Sequence, residues 1–356
     1  MKPYFQDPGF TLYRGNAYEV LNEVPAAVGI DCVVTSPPYY GLRDYGTGVW
    51  HGGNPDCMHL GAKKKTRYDY SLATSPIQQG TRTGTDARPG MWRAMCPDCG
   101  AHRIDDQIGL EETEALYLSR LTSVFEVMHL WLPDHATIWV NIGDSYIDRE
   151  LAGIPWKFAM SMQHLGFKLL ADVIWSKPNP QPSSVKHRPS TAHEYVFMFG
   201  ISDRNYYGYD DVKEPMAKSS LTRMQTPRFG ENNKGHSGQY AIVTADYTEQ
   251  EQEGYRNLRT VWDIPTEAFP GAHYAVYPRE LVRRCILAGC REGGTVLDPF
   301  IGSGTTAVVA RQLSRRCIGI DLKPEYCYDA YRRYQGRNLA LEEAGQIPLF
   351  DLEVAV

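Results

Sequence analysis

The sequence predicts an α/β protein, a twisted and mostly parallel sheet with helices on both faces, from three observations. Short apolar or β-branched runs bounded by turn residues recur along the chain, helical patterns fall between them, and near the far end a strand enters a Gly-rich turn and then a helix. The strand candidates in order are Asp31 to Thr35, Thr137 to Ile142, Asp172 to Trp175, Tyr195 to Phe199, Thr295 to Leu297 and Cys317 to Ile320. Continuous apolar runs of this kind suit strands covered on both faces. Among the helices, EETEALYLSRLTSVFEVMHLWL puts Leu121, Val124, Phe125, Met128 and Leu132 on one face, with Thr113 as N-cap. PWKFAMSMQHLG opens with Pro155 and closes with Gly166, the usual asymmetry of helix ends, and TTAVVARQL and PEYCYDAYRRY supply two more.

A chain of 356 residues admits two or three domains, or one large α/β domain carrying insertions. No stretch approaches the apolar length of a membrane span, and MKPYFQDPGF lacks the apolar core of a signal peptide, so the expected setting is cytoplasmic with no membrane partner. Eight scattered cysteines are too few for a disulfide scaffold, and in a reducing compartment clustered cysteines read first as metal ligands. The net charge of −5 neither suggests nor excludes a nucleic-acid partner, because local basic patches matter more than the total.

Two stretches break the alternation and are too long for ordinary loops. Residues 203 to 270 are polar, aromatic and basic in places, as in LTRMQTPRFGENNKGHSGQY. Residues 46 to 108 are rich in Gly, Lys, Arg, Thr and Pro, and hold two ligand pairs: Cys57 with His59, and Cys96 with Cys99 in CPDCG, a knuckle whose glycine permits a tight turn around a metal. Four such ligands match a structural zinc site, with His51 and His102 as substitutes for His59; reduced thiols beside a surface histidine are the alternative. Between the pairs, Lys63, Lys64, Lys65 and Arg67 suit phosphate contacts or form a solvated charge run.

In TVLDPFIGSGTTAVVARQL, Gly302 and Gly304 let a ligand approach the backbone, and the following helix offers free N–H groups. About twenty residues on, CIGID ends a strand with Asp321, placed to accept both hydroxyls of a ribose. The turn fits neither GxGxxG nor GxxxxGK[ST], so dinucleotide and nucleoside triphosphate readings lose ground. Near the start, VVTSPPYYGLRDYG ends another apolar run with two prolines and two tyrosines.

Together TSPPY and DPFIGSGTT resemble the signature pair of the amino-group DNA methyltransferases, which use S-adenosylmethionine to modify N4 of cytosine or N6 of adenine. The target-side motif comes first, which is similar to the circularly permuted, β-type order of that family. The resemblance extends through VNIGDSY, DVIWSKPNPQPSS and GAHYAVYPRELVRRCI, and implies a Rossmann-like methyltransferase sheet with two insertions. It implies that residues 1–45 and 109–202 form the catalytic half of the sheet and 271–335 the cofactor half. Residues 46–108 are then the zinc-binding basic insertion, 203–270 the target-recognition region, and 336–356 a C-terminal tail.

By the same resemblance, the Ser36 hydroxyl and the Pro37 carbonyl accept hydrogen bonds from the target amine, Pro37 and Pro38 stiffen the loop without competing N–H groups, and Tyr39 stacks on a base rotated out of the duplex. Tyr40 reads as a core aromatic. Asp298, Phe300, Gly302, Ser303, Gly304 and Thr305 surround the methionine portion of the cofactor, and Asp321 meets its ribose. Asn16, after Gly15, stands where the family often has aspartate near the adenine, which leaves its role open; His273 and Pro278 belong to the segment resembling the family's motif before the cofactor turn, and His273 reads as structural. The leading expectation is a site-specific DNA methyltransferase, with serine heading the target motif favouring cytosine N4 over adenine N6. RNA or protein methylation by the same fold, and a zinc-bearing nucleic-acid binding module with degenerate catalysis, are the other readings. The expected partner is double-stranded DNA; a homodimer and a companion restriction nuclease are left open.

Overall fold

The computed structural model describes residues 1–23, 29–41, 47–62, 93–147, 149–180, 182–183, 185–225, 254–267 and 276–336. Among them one nine-stranded sheet contains, in chain order, β1 (Phe5–Gln6), β2 (Phe10–Arg14), β3 (Cys32–Thr35), β4 (Thr137–Ile142), β5 (Lys168–Ser176), β6 (His193–Gly200), β7 (Val261–Asp263), β8 (Thr295–Asp298) and β9 (Arg316–Asp321). Their spatial order is β1-β2-β9-β8-β3-β4-β6-β5-β7. The five strands β2, β9, β8, β3 and β4 run parallel. β6 is antiparallel to both neighbours, β7 is parallel to β5, and β1 is antiparallel to β2.

All six strands expected from the sequence lie in this sheet. In β3, β4 and β8 every residue is buried, which is why they read as unbroken apolar runs. Helices α1 (Ala17–Glu23), α2 (Glu114–His129) and α3 (Ile154–His164) pack in series, as do α4 (Arg279–Gly289), α5 (Thr305–Gln312) and α6 (Pro324–Tyr334). Thr113 caps α2 as expected, its hydroxyl accepting the N–H of Leu116 at 3.2 Å. α1 and α3 close the main core over Val33, Ile138, Val140 and Leu297, with Tyr40 buried in the same cluster. On the opposite side α4 crosses so close to the sheet that a Cβ on Gly289 would lie 2.8 Å from Cys32 Sγ.

The chain divides into two compact units, Met1–Tyr207 with Thr260–Val356, and Gly208–Arg259. In the smaller unit, Glu214–Pro215 pairs with Tyr255–Arg256, Glu214 takes ion pairs from Arg256 and Arg259, and a helix spans Lys218–Gln225. β7 falls inside the stretch 203–270 yet belongs to the sheet, pairing with Ile174, Trp175 and Ser176 of β5. Much of LTRMQTPRFGENNKGHSGQY, the four basic residues Lys63, Lys64, Lys65 and Arg67, His273, and all of the tail after Gly336 lie outside the described residues. Among the described residues no helix is long and apolar enough to cross a membrane.

Candidate active site

β8, β3 and β4 are neighbours, so the chain leaves all three at the same edge of the sheet, where parallel α/β proteins bind ligands. There the two sequence motifs meet. Thr35, last residue of β3, donates its hydroxyl to Asp298 Oδ1 at 2.6 Å, across 263 positions of sequence. Asp298 is fully buried, and also accepts the Phe300 N–H at 3.1 Å, the Tyr277 hydroxyl at 3.0 Å and the Thr306 hydroxyl at 2.5 Å. Burial pushes its carboxyl up, against the pull of these donors. These four bonds make Asp298 a brace between the end of β3 and the Gly-rich turn.

The Gly-rich turn depends on two left-handed glycines, Gly302 at φ +50° and Gly304 at φ +80°. A Cβ on Gly304 would lie 2.7 Å from the Cα of Ala330, so α6 closes the turn from behind and only glycine fits. Asp321, at the end of β9, accepts the Gly302 N–H at 3.0 Å and the Lys323 N–H at 2.9 Å, and burial raises its carboxyl to about 7. Gly15 N–H donates to the Asp321 carbonyl at 2.9 Å, which brings Asn16 to the same corner. There Asn16 Oδ1 caps α1 by accepting the Tyr18 N–H at 3.0 Å. Phe300 is half-buried against the core. Ser303 and Thr305 are buried, and Arg333 Nη1 donates to their hydroxyl oxygens at 2.6 and 3.1 Å and to the Ser303 carbonyl at 2.8 Å, which ties the turn to α6. A carboxylate, a glycine backbone and an amide converging at the ends of β9, β8 and β2 suit a nucleoside-bearing cofactor.

On the other flank stand Ser36, Pro37, Pro38 and Tyr39. The Pro38 carbonyl accepts the Tyr117 hydroxyl at 3.0 Å, which makes Pro38 a fixed corner of the loop. The Tyr39 ring lies against Gly143, where a Cβ would come within 2.7 Å of the ring, and Gly109 presses on the Tyr39 carbonyl, where a Cβ would come within 2.9 Å. Tyr39 donates its hydroxyl to Glu194 at 2.7 Å; burial and the neighbouring carboxylate push the phenol well above its usual value. Ser36 Oγ lies 3.4 Å from both the Tyr39 oxygen and Asn141 Oδ1. Glu194 also forms a close ion pair with Lys177. Sequence reasoning singled out none of Asn141, Lys177, Glu194, Tyr277 and Arg333. Asn141, Lys177 and Tyr277 lie in the segments VNIGDSY, DVIWSKPNPQPSS and GAHYAVYPRELVRRCI, and a polar Asn141 inside the buried run TIWVNI was a further signal.

Cys57, His59, Cys96 and Cys99 converge with all four ligand atoms within 4.8 Å of one another. Cys57 Sγ is 3.9 Å from Cys96 Sγ, and Cys99 Sγ is 3.5 Å from His59 Nδ1. Tetrahedral zinc would set about 3.8 Å for the sulfur pair and about 3.5 Å for sulfur to nitrogen. In the knuckle, Gly100 at φ +74° donates to the Cys96 carbonyl at 2.9 Å. His51 and His102 face each other across the strand pair Val49–His51 and His102–Ile104, and are not in the cluster. Only Ala62, Cys96 and Ala101 form a buried core here among the described residues, too little apolar surface to hold the insertion unaided.

The family model for DNA methylase matches residues 30–332. The type II methyltransferase M.Cfr9I of Citrobacter freundii is 33% identical over 93% of this chain and 89% of its own length, and the type II methyltransferase M.SmaI of Serratia marcescens is 32% identical over 90% and 88%. Among solved structures, the PvuII DNA methyltransferase (cytosine-N4-specific) matches with a TM-score of 0.56 at 17% identity, covering 97% of this chain and 93% of that one.

Proposed function

Because the chain belongs to the N6/N4 DNA methylase family, it is an S-adenosylmethionine-dependent DNA amino-methyltransferase, and we propose that the amine it methylates is N4 of cytosine. The observation that carries the proposed site is the Thr35 to Asp298 hydrogen bond, which holds the target motif against the cofactor motif. Serine, a neutral acceptor, heads the target motif and supports cytosine. When bound, the cofactor supplies an electrophilic methyl group on sulfonium. An exocyclic amine is a poor nucleophile, because its lone pair is delocalised into the ring. Ser36 Oγ and the Pro37 carbonyl accept its two N–H groups and favour a pyramidal nitrogen, Tyr39 holds the extruded base by its ring face, and positioning supplies most of the rate. Sequencing DNA from expressing cells by a method that separates modified cytosine from modified adenine tests the proposal. Modified cytosine at one recurrent site is expected, and modified adenine alone would overturn it.

On the cofactor side Asp321 takes the ribose, and Asn16, its oxygen committed to the helix cap, offers Nδ2 to an acceptor on the adenine edge. Asp321 carries a pH prediction. Its folded-state value of about 7 lies above that of a free carboxyl, so it gains its charge only as pH rises through that value, and ribose hydroxyls bind the charged form better. Calorimetry should therefore show cofactor affinity rising from about pH 6 to about pH 8 and then levelling. For Asp321→Asn the affinity should be weaker and flat over that range.

The insertion 46–108 is read as a zinc-clamped module that helps hold double-stranded DNA, and the unit around 203–270 as the region that reads the target sequence. The ligand spacing supports the first assignment, and separate compactness with a polar, basic composition the second. About one equivalent of zinc is expected in protein expressed with ample metal; less than about half counts against the site. Cys96→Ser should weaken DNA binding while cofactor affinity stays near wild type, whereas equal loss of both would make the insertion a support for the whole fold. The type II names of relatives at 32–33% identity favour a companion restriction nuclease in the same cytoplasm.

A further inference from the structure

We infer that Glu194, which belongs to neither motif, is a positioning residue that dictates which way the hydroxyl proton of Ser36 points. The inference rests on the reading of Ser36 as acceptor of the target amine. Glu194 stands near the head of β6 with its side chain 11% exposed. Burial alone would raise its carboxyl, but the Lys177 ammonium, together with hydrogen bonds from Lys177, Tyr39 and Asn141, outweighs burial and holds it below the usual range. Lys177 is itself 10% exposed and lies 4.4 Å above the Trp175 ring, so the charge beside Glu194 is held in place.

An ionised carboxylate only accepts hydrogen bonds. Tyr39 has one hydroxyl proton and two acceptors in reach, Glu194 Oε2 at 2.7 Å and Asn141 Oδ1 at 3.2 Å; the shorter, charge-assisted bond to the carboxylate takes it, so toward Ser36 its oxygen is an acceptor. Asn141 points one end of its amide at Glu194 Oε2, 3.1 Å away, and at the Tyr195 carbonyl, 3.2 Å away. Both are acceptors, so that end must be the NH2, and the amide oxygen must face Ser36. The two network atoms that Ser36 meets at 3.4 Å, the Tyr39 oxygen and Asn141 Oδ1, therefore both accept. Whichever one it chooses, its proton points into the network and its lone pairs remain for the target amine. Reversed, the serine would donate toward the very nitrogen lone pair that must attack the methyl group.

The test compares single-turnover methyl transfer at saturating cofactor and DNA with dissociation constants for each and a thermal midpoint. Glu194→Gln can both donate and accept, so the Tyr39 proton is no longer drawn from Ser36 by a carboxylate, and only the Tyr195 carbonyl is left to orient Asn141; transfer should slow at least about tenfold with both dissociation constants within about twofold of wild type. Adding Asn141→Asp to Glu194→Gln places an acceptor-only carboxylate directly against Ser36 and should recover most of the lost rate, a rescue that a merely structural role would not give. Should Glu194→Gln fold poorly, Glu194→Gln/Lys177→Gln, which leaves no unpaired ammonium, should fold and show the same slow transfer. Wild-type rates for a folded Glu194 variant, or slow transfer that Asn141→Asp fails to rescue, would overturn the inference. Ser36→Ala separates it from its foundation. If that variant transfers at the wild-type rate, the acceptor reading falls and this inference with it; if it is slow while Glu194→Gln is not, only the present inference falls.

Discussion

Asp298→Ala should cost about 3–5 kcal/mol of folding stability and abolish methyl transfer, because it strips a common acceptor from four donors in a dry site. The hydroxyls of Thr35, Tyr277 and Thr306 and the N–H of Phe300 all converge on this one buried carboxylate. Thr306 and Tyr277 bond each other closely and can share their loss, so the damage falls hardest on the Phe300 N–H and on Thr35, whose hydroxyl joins the two motifs. Asp298→Asn refines the expectation. An amide keeps one accepting oxygen and turns an NH2 toward the other pair of donors, so it should fold better than the alanine variant while still weakening cofactor binding. Denaturant unfolding and calorimetry read the two effects separately. Wild-type stability for Asp298→Ala would mean that the motifs are held together by something else.

Tyr39→Ala should slow methyl transfer by at least about tenfold, ~1.4 kcal/mol in the barrier, with cofactor affinity near wild type. The ring is pinned by Gly143 and by the hydroxyl's bond to Glu194, so the proposed stacking face is fixed in advance. Tyr39→Phe keeps the ring and drops the hydroxyl's contacts with Glu194, Asn141 and Ser36, and should lose less. Equal losses for both variants would assign the effect to the hydroxyl network instead of stacking, and undiminished transfer in Tyr39→Ala would remove the residue from the site. Single-turnover rates with labelled cofactor decide between these outcomes.

The most legible strands, β3, β4 and β8, are buried throughout and leave continuous apolar runs, whereas β5 is legible only over Asp172 to Trp175 because its first half alternates between exposed and half-buried residues. β2 escaped notice since FTLYR mixes polar and apolar residues, and β7 since three residues show no period. α1 is only seven residues long, and α4 lies inside the segment GAHYAVYPRELVRRCI, whose resemblance to a motif masks its helical pattern. In the site, Ser36, Tyr39, Gly302, Gly304 and Asp321 stood in motifs whose chemistry is local. Glu194 could not be found that way: its meaning comes from Tyr39, 155 positions away, and from Asn141, 53 away. Arg333 is equally remote: arriving on α6, it donates to the hydroxyl oxygens of Ser303 and Thr305, a contact their own motif does not foretell.

The most direct measurement is the chemical identity of the product. Purified protein, S-adenosylmethionine carrying a labelled methyl group and duplex DNA are incubated, the DNA is digested to nucleosides, and the labelled nucleoside is identified by mass, beside a parallel reaction with Ser36→Ala. The account expects label in N4-methylcytosine and a strongly reduced yield from the variant. Label confined to N6-methyladenine would contradict the assignment of the base, and equal yields from the two proteins would contradict the site itself.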